Sequence, residues 1–262
     1  MTRDIHAPSP EVHAEFVHFL EADTTLYGVI YRKKRDGVSN EEIQNAQGAT
    51  YSNFIWNYQR NIRALLEGDI PSGISLMNEV AVLFRKVLRF ADLSEEAKTY
   101  LNRGLQEIED RKSDQGLQRK TELQVLKTSE TLEKKHTPGI YVYSLMHYLN
   151  YPYDSESGRT LLKVGKSDRD VIQRFREQTR TTALPEEPVL LRIYESLTAS
   201  ITLSEVEKKF HSLLEAADHD RSTARTGGTE WFLTSLKFLD KIAETFDLKI
   251  TNNANIEEAN EE

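Results

Sequence analysis

The sequence predicts an α+β protein in which a helical N-terminal domain is followed by a small antiparallel sheet flanked by helices. Two observations lead to this prediction. Over residues 1–110 the apolar side chains recur at helical spacing and rarely alternate as they would in a strand. After Pro138-Gly139 the pattern changes, and short apolar segments alternate with amphipathic ones in the order β-β-α-β-α-β-α.

The predicted helical domain contains several amphipathic segments. Ile62, Leu65 and Leu66 share one face of a helix, and a second apolar face follows between residues 80 and 88. Residues 111–136 are charged and polar with few large apolar side chains, which is typical of both a solvated helix and a disordered linker. Both interpretations of this segment stay open.

Within that domain, residues 37–66 have the pattern of a helix-turn-helix. Two helical stretches are joined by a glycine-containing turn, and the second stretch carries Arg60 and Arg63, which would face DNA. Gln44 and Gln47, however, occupy positions that usually hold small or apolar residues in this motif. Packing within a plain helical domain explains the pattern as well, so DNA recognition by this segment stays an open alternative.

The C-terminal part, residues 137–250, is predicted to hold the sheet. Its four predicted strands cover residues 139–146, 160–165, 189–194 and 230–233. Residues 148–159, rich in Asn, Pro, Asp and Ser, predict a long loop between the first two strands. Capping-box patterns at 167–170 and 202–205 predict the starts of two helices, and a last helix covers 236–246.

The composition is 38% hydrophobic and 29% charged, and no apolar run reaches the length of a membrane span. The absence of cysteine excludes disulfides and thiolate metal sites and fits a reducing compartment. We therefore expect a cytoplasmic protein with no membrane partner. The formal net charge of −8, to which an acidic tail at residues 251–262 contributes, disfavours a polyanionic partner. Basic residues nevertheless cluster at 31–35 and 163–180, and local patches decide phosphate binding.

The sequence argues against two familiar binding motifs. Gly165-Lys166-Ser167 lies between a strand and a helix, as in a P-loop, but Thr160 stands where that motif requires a glycine. Glu207 and His211 have the i,i+4 spacing of zinc ligands, but no convincing third ligand is present. Neither nucleotide binding through a P-loop nor a zinc site is predicted.

A tyrosine-bearing strand, Gly139-Ile140-Tyr141, precedes a second strand that contains Lys163-Val164-Gly165. In these motifs, and over residues 137–250 as a whole, the chain resembles the GIY-YIG nuclease family, in particular a branch found in phage and bacterial proteins. The first motif matches literally, whereas Lys163 stands in place of the second tyrosine. The resemblance implies a nuclease fold and the hydrolysis of phosphodiester bonds in DNA.

The same resemblance implies four catalytic residues. Tyr141 would orient or deprotonate the attacking water, and Lys163 would lower the pKa of its phenol. Arg174 would hold the scissile phosphate, and Glu207 would bind a single Mg²⁺ or Mn²⁺ ion. Because side chains alternate along a strand, Tyr143 projects from the same face as Tyr141, and the choice between the two tyrosines stays open.

Three further side chains are secondary candidates for the site: Lys166, His211 and Glu230. Arg176 and Arg180 would contact the nucleic-acid backbone. The sequence therefore predicts a metal-dependent DNA endonuclease whose N-terminal domain chooses the substrate or a partner. Two alternatives stay open: a non-catalytic nucleic-acid-binding or regulatory protein with the same fold, and a helical interaction protein with a merely structural C-terminal half. The oligomeric state is left open.

Overall fold

The computed structural model describes residues 7–46, 54–134, 137–181, 186, 188–196, 202–219 and 230–251. The chain divides into two compact units, Met1–Leu117 and Gln118–Glu262. The first unit is helical, and the second contains a sheet with helices packed on it. This architecture confirms the predicted α+β fold class.

Seven helices occupy the described part of the N-terminal half. They are α1 (Pro10–Ala22), α2 (Leu26–Arg35), α3 (Asn40–Ala46), α4 (Phe54–Glu67), α5 (Ile74–Leu88), α6 (Glu95–Lys112) and α7 (Gln115–Leu132). Three of them begin at serine caps: the Ser9 hydroxyl accepts from the Val12 N–H, the Ser39 hydroxyl from the Glu42 N–H, and the Ser94 hydroxyl from the Ala97 N–H. The apolar faces of α1 to α6 pack into one core, in which Phe84 is fully buried. No described helix is long and apolar enough to cross a membrane.

The charged segment for which the sequence allowed a helix or a linker is helical over most of its length, as α7. Its buried side chains are Val125, Thr128, Ser129 and Leu132, which follow i, i+3, i+4, i+7 spacing. Ser129 belongs to the second unit, as Leu190 does, and its hydroxyl accepts a 2.9 Å hydrogen bond from the Leu190 backbone N–H. Because two of the four buried residues are polar, the face that α7 buries does not stand out in hydropathy.

The structure describes two helices in the segment with a helix-turn-helix pattern, namely α3 and α4. The turn between them and Gln47 lie outside the described residues. Arg60 is only 8% exposed, and one of its guanidinium nitrogens lies 3.9 Å from a carboxylate oxygen of Glu79. Arg63 is exposed. Of the two arginines predicted to face DNA, therefore, only Arg63 faces solvent.

In the part of the chain that the structure describes, five strands form one antiparallel sheet in the order β4-β2-β1-β3-β5. In chain order its elements are β1 (Gly139–Leu145), α8 (Met146–Asn150), β2 (Thr160–Ser167), α9 (Val171–Thr181), β3 (Pro188–Ser196), α10 (Leu203–Ala216), β4 (Trp231–Thr234), α11 (Leu236–Thr245) and β5 (Leu248–Thr251). The four predicted strands are all present. The sequence did not predict β5, nor the short helix α8 that overlaps the predicted loop.

The central strand β1 is buried along its whole length because helices cover both faces of the sheet. Ile140 and Val142 belong to one hydrophobic cluster, which includes residues of α10 and α11. Tyr141 and Tyr143 belong to the other, with Phe175 of α9. The two tyrosine rings are parallel, with centroids 6.2 Å apart, as expected for side chains on one strand face.

Of the two predicted helix starts, the structure confirms one and shifts the other. Thr202 forms the predicted capping box with Glu205 at the start of α10. The prediction that Ser167 caps a helix is wrong, because Ser167 is still part of β2 and pairs with Gly139 in the sheet. Asp170 caps α9 instead, since its carboxylate accepts a 2.8 Å hydrogen bond from the Ile172 N–H. The chain between β2 and α9 is thereby held as a tight polar turn.

Candidate active site

A polar cleft of about 430 Å³ opens beside the turn between β2 and α9. Among the described residues, every side chain that lines it is polar or charged, namely Tyr141, Lys166, Ser167, Asp168, Arg169, Asp170, Gln173, Arg174, Glu177, Gln178, Glu207 and Glu230. Five of the predicted site residues are in this set: Tyr141, Lys166, Arg174, Glu207 and Glu230. The fold therefore brings together residues that are up to 89 positions apart in the sequence.

Tyr141 lies on the central strand, and its ring packs against a glycine. In the antiparallel register, Tyr141 is opposite Gly165 of β2. A Cβ atom at position 165 would come within 2.7 Å of the phenol oxygen, so only glycine leaves room for the ring. The phenol donates a 2.8 Å hydrogen bond to the side-chain oxygen of Gln178 on α9. The tyrosine is thus fixed from two sides.

The electrostatic surroundings keep the Tyr141 phenol protonated. Burial raises the pKa of Tyr141 most, and the negative charge of Glu230 raises it further, while Arg174 opposes the change only in part. At neutral pH this tyrosine is a neutral hydrogen-bond donor. The sequence predicted a lowered pKa for this phenol, whereas burial and the nearby carboxylates raise it.

Lys163 lies beside the other tyrosine. The strand register pairs it with Tyr143, and its ammonium lies 5.5 Å from the centroid of that ring. The same ammonium is 3.2 Å from a carboxylate oxygen of Glu230. Tyr143 packs edge-on against Phe175 and Trp231 and does not line the cleft. Between the two tyrosines, the structure puts Tyr141 at the cleft.

Glu207 projects from α10 into the cleft. Burial raises the pKa of its carboxyl group most, the charges of Glu230 and Asp168 raise it further, and Lys166 opposes them. The Lys166 ammonium is itself engaged, because it lies 3.0 Å from Asp168 and donates a 2.6 Å hydrogen bond to the Ser204 hydroxyl. Negative charge at this end of the cleft is therefore incompletely balanced by the side chains around it.

The donor set fits a hard divalent cation bound through few protein ligands. Among the described residues, no group of three or more His, Asp or Glu side chains is arranged as a metal site. Mg²⁺, however, usually binds through one or two carboxylates and completes its shell with water and substrate oxygens. Glu207 would be the ligand, and the charge of Glu230 would add to the attraction for the ion.

Arg174 lies on α9 and is exposed at the cleft. Within the part of the chain that the structure describes, its guanidinium has no hydrogen-bond or ion-pair partner. Arg176, two residues along the helix, instead forms an ion pair of 3.1 Å with Glu133 and does not line the cleft. The side chain of Arg180 lies outside the described residues.

His211 is outside the cleft, because its ring packs 4.9 Å from that of Phe232 and one ring nitrogen lies 3.4 Å from the Val164 carbonyl oxygen. Sequence reasoning missed Gln178, which holds the Tyr141 phenol. Its spacing of four residues from Arg174 would have placed both on one face of α9. That signal was available but does not by itself reveal the tyrosine as a partner.

The comparison with known families concerns this same region. Residues 140–247 match the T5orf172 domain. The match covers less than half of the chain. It includes every predicted site residue of the C-terminal half and no residue of the N-terminal unit. The match supports a function related to nucleic acid. No curated protein and no solved structure matches the chain.

The T5orf172 match corrects the resemblance drawn from the short motifs. The assignment to the GIY-YIG nucleases is wrong, because the matching family is a different one. The motifs have a local physical origin: a glycine at 165 is required wherever a tyrosine ring packs on the neighbouring strand as Tyr141 does. Short strand motifs of this kind do not separate one family from another.

Proposed function

We propose that the protein is a metal-dependent DNA endonuclease whose active site is the polar cleft of the T5orf172-matching region. The observation that carries the proposal is the combination in one cleft of an incompletely balanced carboxylate, Glu207, with Arg174, an arginine that has no hydrogen-bond or ion-pair partner among the described residues. Hydrolysis of a phosphodiester needs both kinds of group, because the phosphate is an anion and gains further charge in the transition state.

The carboxylate end of the cleft would hold the cation. Burial and the charge of Glu230 raise the pKa of Glu207, which means that the ionised carboxylate lacks sufficient positive partners. A divalent cation would supply that charge and act as a Lewis acid on the phosphate or the leaving oxygen. Glu207 is the residue that we assign as its ligand.

The basic end would bind the scissile phosphate. The guanidinium of Arg174 presents a planar set of donors that matches two phosphate oxygens, and it is exposed at the cleft. Arg169 is exposed on the same rim and suits a neighbouring phosphate of the strand. Because the lining is polar throughout, the cleft suits an extended polyanion better than an apolar small molecule.

Tyr141 would orient the attacking water rather than deprotonate it. Its phenol is held by Gln178 and stays protonated, so it can donate a hydrogen bond to the attacking water or to a phosphate oxygen. Glu230, steadied by Lys163 at 3.2 Å, is the lining carboxylate that we assign to accept the proton of that water. The N-terminal unit would select the substrate or a partner.

Cleavage of a pooled set of single-stranded, duplex and branched DNAs tests the proposal. With Mg²⁺ or Mn²⁺ present we expect cutting that EDTA abolishes and that Glu207→Gln lowers at least about a hundredfold. Glu215→Gln is the matched control, because Glu215 is an exposed glutamate on the same helix outside the cleft, and it should leave cutting unchanged.

One observation favours a second candidate, a non-catalytic nucleic-acid-binding protein. The raised pKa of Tyr141 leaves the cleft without a tyrosinate base. Binding of the same DNAs without cutting, in either metal, would contradict the endonuclease and support this alternative. Cutting that persists in Glu207→Gln would show that the active site lies elsewhere.

A further inference from the structure

A second cleft, in the helical unit, lies between α2 and α4 and has a volume of about 280 Å³. We call it the α2–α4 groove, and the described residues that line it are Ile30, Tyr31, Lys34, Trp56, Gln59, Arg60, Ile62 and Arg63. Three of these side chains are cationic and none is acidic. Such a composition is notable in a chain with a net charge of −8, because it gives the groove a charge opposite to that of the whole protein.

One face of α4 supplies most of the groove. Trp56, Gln59, Arg60 and Arg63 follow i, i+3, i+4, i+7 spacing and therefore lie along one side of the helix. The opposite side is buried in the core, for example at Leu65. Trp56 is 61% exposed, so its ring is available to a ligand. The groove thus combines an open aromatic face with basic side chains.

The cations of the groove retain donors for an anion. Arg60 is more than nine-tenths buried, and two of its guanidinium nitrogens, Nε and Nη2, have no hydrogen-bond partner within the described ranges, although Nη2 is 3.9 Å from Glu79. Lys34 donates one hydrogen bond, of 3.1 Å, to the Val38 carbonyl oxygen, and an ammonium has two further protons to donate. Arg63 is exposed. The groove therefore offers charge at its rim and beneath its surface.

Not every basic residue of the nearby run 31–35 contributes charge to the groove. Arg32 donates to three backbone carbonyl oxygens at the end of α1, and Arg35 pairs with Glu21 and Asp36. These arginines hold the helices together. Of that run, Tyr31 and Lys34 line the groove.

We propose that the α2–α4 groove binds a single-stranded segment of nucleic acid, with Trp56 stacked on an unpaired base and Arg63 and Lys34 on neighbouring phosphates. Stacking on an exposed aromatic ring beside basic side chains is how proteins bind single strands without reading a sequence. In a duplex each base is already stacked on its neighbours, so the open face of Trp56 would have no partner. An acidic peptide would use the cations, but its acidic side chains offer no aromatic ring to stack on Trp56.

Fluorescence of Trp56 tests this binding without reference to cleavage. The chain has two tryptophans, so Trp231→Phe leaves Trp56 as the single reporter. We would titrate this full-length variant with a ten-nucleotide thymidine oligomer and, separately, with a duplex, in EDTA so that no strand is cut. Saturable quenching by the oligomer, and weaker quenching by the duplex, is the expected result.

Two charge reversals localise the interaction. Arg63→Glu should weaken binding of the oligomer about tenfold, because it removes a phosphate contact and adds repulsion. Arg103→Glu is the matched control, since Arg103 is exposed on α6 and does not line the groove, and it should change binding little. Equal losses in both variants, or binding that leaves Trp56 emission unchanged, would overturn the proposal.

Two further arms keep the result decisive. Quenching by a poly-glutamate peptide as strong as that by the oligomer would overturn the nucleic-acid assignment in favour of an acidic protein partner. If Trp231→Phe unfolds the protein, the difference in emission between wild type and Trp56→Phe supplies the same signal. Because this readout is confined to the groove, its failure leaves the endonuclease proposal standing. Likewise, a wild type that does not cut DNA, or cutting that persists in Glu207→Gln, leaves the groove proposal standing.

Discussion

The two units of this protein treat a carboxylate in opposite ways. In the helical unit, Asp23 is 8% exposed and accepts hydrogen bonds from Lys86 at 2.7 Å, from the Thr25 hydroxyl at 2.5 Å and from the Gly28 N–H at 3.2 Å. Burial by itself raises the pKa of Asp23, but Lys86 and Thr25 together outweigh burial and hold the pKa below its ordinary value.

In the sheet unit the balance goes the other way. Burial and the charges of Glu230 and Asp168 raise the pKa of Glu207, and Lys166 does not compensate. The comparison teaches that a carboxylate used to hold a fold is supplied with donors, whereas one left short of them is a candidate for binding something else. That difference cannot be read from residue type, since both groups are acids near a lysine.

The largest effect should come from removing the satisfied carboxylate. Asp23→Ala should lower the free energy of unfolding by about 3 kcal/mol, because Lys86 loses its ion-pair partner and the Gly28 N–H its acceptor in a buried place. Urea unfolding would measure it. Asp36→Ala is the matched control, with a side chain 58% exposed and paired to Arg35, and should cost about 0.5 kcal/mol. If Asp23→Ala and Asp36→Ala lowered the free energy of unfolding equally, the Asp23 carboxylate would not be the stabilising group described above.

A smaller effect should follow from disturbing the cleft at Gly165. Gly165→Ala should destabilise the protein by about 2 kcal/mol, because its Cβ would lie 2.7 Å from the Tyr141 phenol and the ring must move. We expect cleavage to fall together with the melting temperature. At Gly116 an added Cβ approaches only the Asp114 side chain, at 3.1 Å, so Gly116→Ala should stay within about 1 kcal/mol of wild type. An unchanged Gly165→Ala would mean that the tyrosine is not held as described.

The smallest effect should be the change in stability when the carboxylate of Glu207 is replaced by a neutral amide. Glu207→Gln should raise the free energy of unfolding by about 0.5 kcal/mol at pH 7, because it removes a charge repelled by Glu230. Mg²⁺ should stabilise wild type and not the variant, since the carboxylate is the proposed ligand. Thermal unfolding with and without Mg²⁺ measures both, and a loss of stability in Glu207→Gln would contradict the comparison.

The pH dependence of that difference has a definite sign. A carboxyl group whose pKa is raised on folding favours the folded state when protonated, and this contribution is lost as pH rises through the raised pKa. Wild type should therefore approach Glu207→Gln in stability as pH falls from 7 towards 4.5, the ordinary pKa of glutamate. Asp23, whose pKa is lowered, keeps its contribution over that interval and loses it only below its ordinary value of 3.8.

Much of the fold could be predicted because burial follows periodicity. The four strands found by alternation and the capping box at Thr202 depend on local patterns. β5 was missed because it follows α11 directly, and the chain reverses at Asp247 with a φ of 52° instead of at a glycine or proline. Ser167 was read as a cap because its partner in the sheet, Gly139, is 28 positions away and invisible to a local pattern.

The candidate site was predictable in its membership more than in its electrostatics. The tyrosine, arginine and glutamate of the cleft were found through a family that proved to be wrong, since those residue types suit phosphate chemistry in any family. The role of Lys163 was misjudged because sequence does not show that its ammonium lies by Glu230 and Tyr143. Nor does it show how deeply Tyr141 is buried, which decides the pKa of its phenol.

The strand order has a consequence for how the protein is made. Both outer strands, β4 and β5, come from residues 231–251, whereas the three inner strands are complete by Ser196. During synthesis the inner strands therefore emerge first, and both edges of their sheet are unpaired. An unpaired edge can form hydrogen bonds with a strand of another chain, which leads to aggregation. Glu230 arrives with the same late segment. A chain truncated before Glu230 would lack one lining residue of the cleft and would leave both edges of the sheet unpaired.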